Sequence, residues 1–166
     1  EIRKNKDIPI SHSSYIRFKK NSFHILEGII IRPPNIIDSK NILQKNYLPL
    51  LSVFIDRRIV GDFIFRNIRP EDYDLWIELI KKRNFYSEST KKINCFYRIS
   101  QNQRSKNKFY SLLRIYNFYK LKVNSNFIIS SFYALRWTIF NLKDRLRKFE
   151  KLNVSKNIFE ILSKEK

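Results

Sequence analysis

The sequence RPEDYDLWIELIKK at residues 69–82 decides how this 166-residue chain folds. Its apolar residues recur at helical spacing, at Tyr73, Trp76, Ile77 and Ile80. This spacing predicts a helix with one buried face. Pro70 suits the first helical position, where its missing N–H would have no intrahelical partner, and a basic last turn before Asn84 predicts the end. Glu71 and Asp72 are therefore expected at the start of a packed helix, facing out of the core.

Two interpretations of these adjacent acids are open. Acidic side chains are common in a first helical turn because each complements the helix dipole by about 0.3–1 kcal/mol. A carboxylate held at a helix start beside a loop also suits a general base. The residue types alone favour the first interpretation, and the wider sequence context favours the second.

Residues 1–100 predict short strands with a few helices. Residues 14–18 alternate at period two, and residues 23–31 follow a turn signal as the returning strand. Residues 50–55 are mostly apolar, which is typical of a strand buried on both faces, and residues 92–99 predict a further strand. Strands that lead to a loop and two acids at a helix start fit a mixed α/β sheet with a ligand crevice at its strand ends.

Residues 101–166 predict basic helices, over 107–119 and 127–146. They contain 15 Lys or Arg and 4 Asp or Glu, so 15 − 4 gives +11 of the net charge of +19. Such a charge attracts polyanions or an anionic membrane surface. An AT-rich genome, which favours Lys, Asn, Ile and Phe codons, is an alternative explanation of the composition.

The second of these helices has two open interpretations. It can lie on a membrane surface with Trp137 and Phe140 in the interface, or it can pack on the rest of the protein. In the first case the residues expected near lipid phosphates are Lys143, Arg145, Arg147 and Lys148. Its longest uncharged stretch, residues 123–135, is shorter than the roughly 20 residues of a membrane span.

Five segments, in chain order, carry a resemblance to a known family. They are ISHSSY at 10–15, LSVFIDRRIVGDF at 51–63, EDYDLW at 71–76, FYRIS at 96–100 and SKNK at 105–108. Together they resemble the acceptor-side half of family 2 glycosyltransferases of bacterial cell-surface polysaccharide synthesis. EDYDLW resembles the family's "ED" motif and is the most specific segment. The resemblance covers roughly residues 8–120.

The resemblance implies a partial α/β fold. We expect a GT-A-like mixed sheet of the nucleotide-diphospho-sugar transferase type, without its N-terminal nucleotide-binding half and followed by C-terminal helices. No Asp-x-Asp or Asp-Asp loop precedes the first matching strand, where Asp7 stands alone. We therefore expect a fragment that is inactive by itself. Residues 1–100 would be the acceptor-side half of the catalytic domain, and residues 101–166 a basic helical region.

The activity implied by the resemblance is inverting transfer of a sugar from a nucleotide-sugar donor to a saccharide or polyprenyl-phosphate-linked acceptor. Asp72 would be the general base. Glu71 would orient the acceptor or Asp72, and the two roles can be exchanged. Arg69 would neutralise a phosphate or simply pair with Glu71.

Three further residues are candidates for substrate binding by position: His12, Tyr97 and Arg98. A structural strand histidine, a strand residue and a solvated charge are their alternative interpretations. The family also implies a divalent metal, Mn or Mg, whose ligands we expect outside this chain, so no metal ligand is named here. We expect a cytoplasmic protein, peripheral on the inner face of the plasma membrane; the single cysteine is consistent with a reducing compartment.

A different class of function is also open. The chain would then be a basic protein that binds nucleic acid or a membrane surface without catalysis. Aromatic residues interleave with basic ones at 108–110 and 114–116, as base stacking and phosphate contacts require. No known nucleic-acid-binding motif is recognisable, and this alternative leaves EDYDLW unexplained. We therefore expect no specific nucleic-acid partner.

Overall fold

The computed structural model describes residues 7–20, 26–99, 108–122, 126–146 and 150–151. Within these ranges six strands form one sheet: β1 (Ile10–Lys20), β2 (Leu26–Ile31), β3 (Ile36–Ile37), β4 (Val53–Ile55), β5 (Ser87–Arg98) and β6 (Glu150–Lys151). The helices are α1 (Arg57–Val60), α2 (Glu71–Trp76), α3 (Lys108–Lys122) and α4 (Phe127–Leu146). A π-helical segment over Ile77–Lys82 continues α2, and a 3₁₀ turn over Leu50–Ser52 precedes β4.

The sheet is mixed and is organised around β1. One edge of β1 pairs in parallel with β5, from Ile10 opposite Ser87 onward. Its other edge pairs antiparallel with β4 near its start and with β2 near its end. β3 adds to β5, and β6 adds to β2. The predicted α/β class, mixed sheet and C-terminal helices are thus confirmed and are compatible with a glycosyltransferase-like fold, whereas the GT-A assignment stays a prediction.

The expectation for residues 50–55 is wrong. A 3₁₀ turn occupies the first half of this run, and β4 is only three residues long. Phe54 is 64% exposed, so the strand is not buried on both faces. An apolar run of this length does not distinguish burial on one face from burial on two. Residues 23–25 of the predicted returning strand lie outside the described residues; the remainder is β2.

The helix predicted from residue 71 is present, and its four spaced apolar side chains are all buried. The expectation of one buried face is wrong, because Leu75 and Leu79 on other sides of the helix are buried as well. Pro70 is the N-cap, with extended backbone, and does not occupy the first helical position. The helix widens at its end, where the Arg83 N–H donates to the Glu78 carbonyl five residues earlier. Asn84 then adopts a left-handed conformation, with φ 58°, as expected of a residue that ends a helix.

The buried core is continuous from the sheet to the C-terminal helices. It joins Ile10 of β1, the buried face of α2, Tyr119 of α3 and Ala134 of α4. The division at residue 100 stays a prediction, and the core crosses it. Of the helices in the described ranges, none combines the length and apolar character needed to cross a membrane.

Candidate active site

Asp72 is the second residue of α2 and is partly buried at the helix start. Its Oδ1 accepts a hydrogen bond from the Tyr73 backbone N–H at 2.8 Å, and its Oδ2 accepts one from Asn46 Nδ2 at 3.0 Å. Burial raises the pKa of Asp72 above its usual value, and the adjacent Glu71 charge adds to this, although both hydrogen bonds act in the opposite direction. The ionised carboxylate is therefore a stronger base than a solvated aspartate.

Asn46 aims its amide at this carboxylate. The Leu48 backbone N–H donates to Asn46 Oδ1 at 3.2 Å, which leaves Nδ2 directed toward Asp72. The reversed amide would place two oxygen acceptors against each other, so this orientation is the one the hydrogen bonds require. Asn46 was not expected from the sequence, because no periodicity or motif links it to a residue 26 positions away.

The loop that supplies Asn46 is fastened by α2 itself. The Tyr73 hydroxyl donates to the Ile42 carbonyl at 2.7 Å, and Trp76 Nε1 donates to the Leu48 carbonyl at 2.8 Å. Both aromatic side chains are fully buried. The buried face of the helix therefore holds the loop, and the loop holds the carboxylate at the start of the same helix.

Tyr73 also joins α2 to α3. Its hydroxyl lies 2.9 Å from that of Tyr119, which in turn contacts the Leu43 carbonyl at 2.8 Å. Two hydroxyl protons thus serve three short oxygen contacts, so the two tyrosines and the two loop carbonyls form one coupled group. Burial raises the pKa of both tyrosines well above the usual value.

A buried ion pair holds the segment before α2. Asp74 is 2% exposed, and its Oδ2 accepts a hydrogen bond from Arg66 Nε at 2.7 Å. Lys122 Nζ of α3 lies 3.9 Å from Asp74 Oδ1, and Arg66 also pairs with Glu78 at 3.5 Å. These ion pairs connect the segment before α2, α2 itself and α3. Asp74 therefore has a structural role, although it lies only two positions after Asp72.

Two other predicted site residues lie beside Asp72. Arg69 Nε is 3.5 Å from Glu71 Oε1, and each side chain is about half exposed. The pairing alternative for Arg69 is therefore the arrangement observed. Because both groups are solvent-accessible, they remain available to a ligand that approaches the helix start.

His12 belongs to the core. Its Nδ1 lies 2.7 Å from Ser87 Oγ, and its Nε2 lies 2.9 Å from the Pro34 carbonyl. A carbonyl can only accept, so Nε2 carries the proton and Nδ1 accepts from the serine. Burial lowers the pKa of His12, which keeps this neutral form. With both nitrogens engaged in a fully buried ring, the arrangement favours the structural interpretation of His12.

Tyr97 and Arg98 lie at the end of β5. The Tyr97 ring is 6.3 Å from that of Tyr15, and Arg98 is exposed. The opposite end of β5 pairs with β3, which leads into the Asn46 loop. Ser87 lies opposite Ile10 of β1 and Tyr97 lies opposite Arg17, so seven residues of β1, roughly 23 Å, separate the two ends. Among the described contacts, none brings these two residues together with Asp72.

A metal site is not assembled by these residues. Within the part of the chain that the structure describes, no three His, Cys, Asp or Glu side chains are grouped so as to hold an ion. The Mn or Mg ion that the resemblance implies stays an expectation, and no step is assigned to it.

The described residues of α3 are divided between the contact with α4 and the solvent. Ile115 is buried in the core, and the Tyr116 ring meets the Phe127 ring of α4 edge-on at 6.0 Å. Tyr110 and Arg114 are exposed. The described part of the interleaved pattern is thus shared between the helix interface and the solvent, which weakens its use as a base-stacking platform.

Two known proteins with similar sequences are both named as glucosyltransferases. The chain is 31% identical over 108 residues to the Escherichia coli UDP-Glc:alpha-D-GlcNAc-diphosphoundecaprenol beta-1,3-glucosyltransferase WfgD, a match covering 65% of this chain and 41% of that protein. It is 27% identical over 138 residues to the E. coli enzyme WfaP, named for the same activity, covering 80% and 54%. The chain is similar to glycosyltransferases.

The matches leave much of the relatives uncovered, since the chain spans about half of their length. No protein-family model matches the chain, and no solved structure matches it. The similarity supports a relationship with glycosyltransferases.

Proposed function

We propose that this chain is the acceptor-side part of an inverting family 2 glycosyltransferase that moves a sugar from a nucleotide-sugar donor to a saccharide or polyprenyl-phosphate-linked acceptor. The observation that carries the proposal is the Asp72 carboxylate, partly buried and held by Asn46 at the start of a packed helix. The two E. coli relatives support the substrate classes, because their names specify a UDP-Glc donor and a diphosphoundecaprenol-linked GlcNAc acceptor.

In the proposed reaction Asp72 takes the proton of an acceptor hydroxyl. The hydroxyl oxygen forms a bond to the anomeric carbon as the bond from that carbon to the diphosphate oxygen breaks. The nucleoside diphosphate leaves with the electron pair, and attack from the opposite face inverts the anomeric configuration. A raised pKa suits the carboxylate to this task, because a stronger base accepts the proton more readily.

Glu71 and Arg69 form the rest of the proposed site. Their ion pair is solvent-accessible, so Glu71 can accept hydrogen bonds from acceptor hydroxyls and Arg69 can neutralise a phosphate. Tyr97, Arg98 and His12 remain candidates by sequence position only.

The proposal also covers where the donor and its divalent metal bind and where in the cell the protein acts. We assign the donor and its Mn or Mg ion to residues outside this chain and expect the 166 residues alone to be inactive. A soluble donor and a lipid-linked acceptor are consistent with a cytoplasmic protein at the inner face of the plasma membrane.

The direct test is transfer by the protein that the complete gene encodes. We expect glucose or another sugar to pass from its UDP donor to GlcNAc-diphosphoundecaprenol, with an inverted anomeric centre visible in the product by NMR. The 166-residue chain alone is the matched control and should give no product. Retention of configuration, or no transfer with any of a panel of nucleotide sugars, would contradict the proposal.

A further inference from the structure

Helix α4 has one packed face and one bare face. On the packed face Ser130 and Ala134 are buried, and the Tyr133 ring stacks on the Tyr119 ring of α3 at 5.2 Å. The bare face consists of six exposed apolar side chains, which we call the α4 stripe: Ile128, Phe132, Leu135, Ile139, Leu142 and Leu146. They are between 45% and 75% exposed.

The α4 stripe is continuous. Its members are spaced four, three, four, three and four residues apart, which places all six on one side of the helix. Over these 18 residues of rise the stripe is about 27 Å long. Soluble monomers seldom leave a contiguous apolar surface of this size open, so a surface of this kind marks a binding face.

Of the two open interpretations of this helix, the structure shows the packing on the rest of the protein, and it changes which residues can face a membrane. Trp137 packs against the core instead of facing outward. Phe140 is half-buried, with the Arg136 guanidinium 5.5 Å above its ring. The lipid-facing candidates are therefore the members of the α4 stripe.

The charge beside the stripe identifies its partner. Arg136 and exposed Lys143 flank it one heptad apart, and the sequence over the stripe, residues 128–146, has three basic residues and one acidic residue, Asp144. The sequence of α3, packed behind α4, likewise has basic residues and no acidic ones. Two copies meeting along this face would bring like charges together, whereas an anionic surface would be attracted to them.

We propose that the α4 stripe docks on an anionic lipid bilayer, with the helix in the plane of the surface and its apolar side chains at the boundary of headgroups and acyl chains. The packed face stays on the protein, so α4 lies on the bilayer as part of the folded chain. This surface is independent of the transferase proposal, because it uses none of the residues around Asp72.

The test is co-sedimentation of the 166-residue chain with vesicles of phosphatidylcholine alone or with one quarter phosphatidylglycerol. We expect binding to the anionic vesicles, weakened at least tenfold in Phe132→Gln/Leu135→Gln. The control Phe54→Gln/Ile64→Gln replaces two apolar residues outside α4 that are somewhat more exposed than the test pair, and it should bind within twofold of wild type. Circular dichroism confirms that each variant is folded.

Three outcomes would overturn the inference. Equal binding of the stripe variant and the wild type would place the contact elsewhere. Equal binding to neutral and anionic vesicles would remove the role of charge. Absence of vesicle binding, with a wild-type dimer that the stripe variant converts to a monomer, would assign the stripe to contact between copies.

Discussion

At the residue scale, Asn46 controls the protonation of the candidate base. Its hydrogen bond lowers the pKa of Asp72, against the larger effect of burial. In Asn46→Ala that pKa should rise further, so the acidic limb of kcat/KM should move to higher pH.

The control for this prediction is Asn41→Ala in the same loop. Asn41 bonds the Ile36 carbonyl and the Asp38 N–H and makes no hydrogen bond with Asp72. It should destabilise the loop without moving the acidic limb. An unmoved limb in Asn46→Ala would show that this amide does not act on the base.

Burial of the Asp72 carboxylate should also lower the free energy of unfolding at neutral pH. Its raised pKa means that the folded state favours the protonated form. The stability that the protonated group contributes is therefore present below the unfolded pKa of about 3.9 and is lost as the pH rises through the folded pKa. Asp72→Asn cannot ionise, but its single oxygen can accept from only one of the two donors, the Tyr73 N–H and Asn46 Nδ2. We therefore compare slopes: the fall in urea resistance that we expect in wild type as the pH rises above about 3.9 should be smaller in the variant. An equal fall in the variant would contradict this sign.

Arg66 and Arg69 differ in the burial of their partners. Arg66→Ala leaves the buried Asp74 carboxylate with Lys122 alone, and we expect a loss of about 2–3 kcal/mol in the free energy of unfolding. Arg69→Ala breaks an exposed pair and should cost less than about 0.5 kcal/mol. Urea unfolding of both variants measures the contrast, and equal losses would refute the assignment of Asp74 to the core.

At the element scale, the contact between α2 and α3 predicts alkaline sensitivity. The buried Tyr73 and Tyr119 have raised pKa values, so stability should be complete below about pH 10 and decline above it as the unfolded tyrosines ionise first. The limiting slope is about 1.4 kcal/mol per pH unit for each tyrosine. Tyr73→Phe should reduce the slope, and urea unfolding between pH 9 and 11 tests it. An identical slope in Tyr73→Phe would show that Tyr73 does not cause the loss of stability at alkaline pH.

The elements differ in how far the sequence predicts them. The presence of helix α2 is predictable from the spacing of its apolar residues, but the burial of Leu75 and Leu79 on its other sides is not. The structure of residues 50–55 is not predictable in this way, because an apolar run does not indicate whether a strand is buried on one face or on both. The contact of Asn46 with Asp72 depends on the path of a loop, and the loop is set by buried bonds to Ile42 and Leu48 that no local pattern encodes.

At the scale of the whole molecule, charge and core have separate roles. The core joins the sheet, α2 and the C-terminal helices through Tyr119 and Ala134. The net charge of +19 sets which partners approach. The sequence predicts that charge but not its placement beside the α4 stripe, because the exposed face of α4 depends on how it packs on α3.

If Asp72 is the base of a sugar transfer, its replacement should slow the reaction, and the rate of transfer by Asp72→Asn measures this. In the protein encoded by the complete gene we expect a fall in kcat of about 10²–10⁴-fold, the usual contribution of a general base, with nucleotide-sugar binding unchanged. Asp62→Asn makes the same chemical change at a side chain that is 92% exposed and should leave the rate intact. Turnover by Asp72→Asn at the wild-type rate would contradict the account.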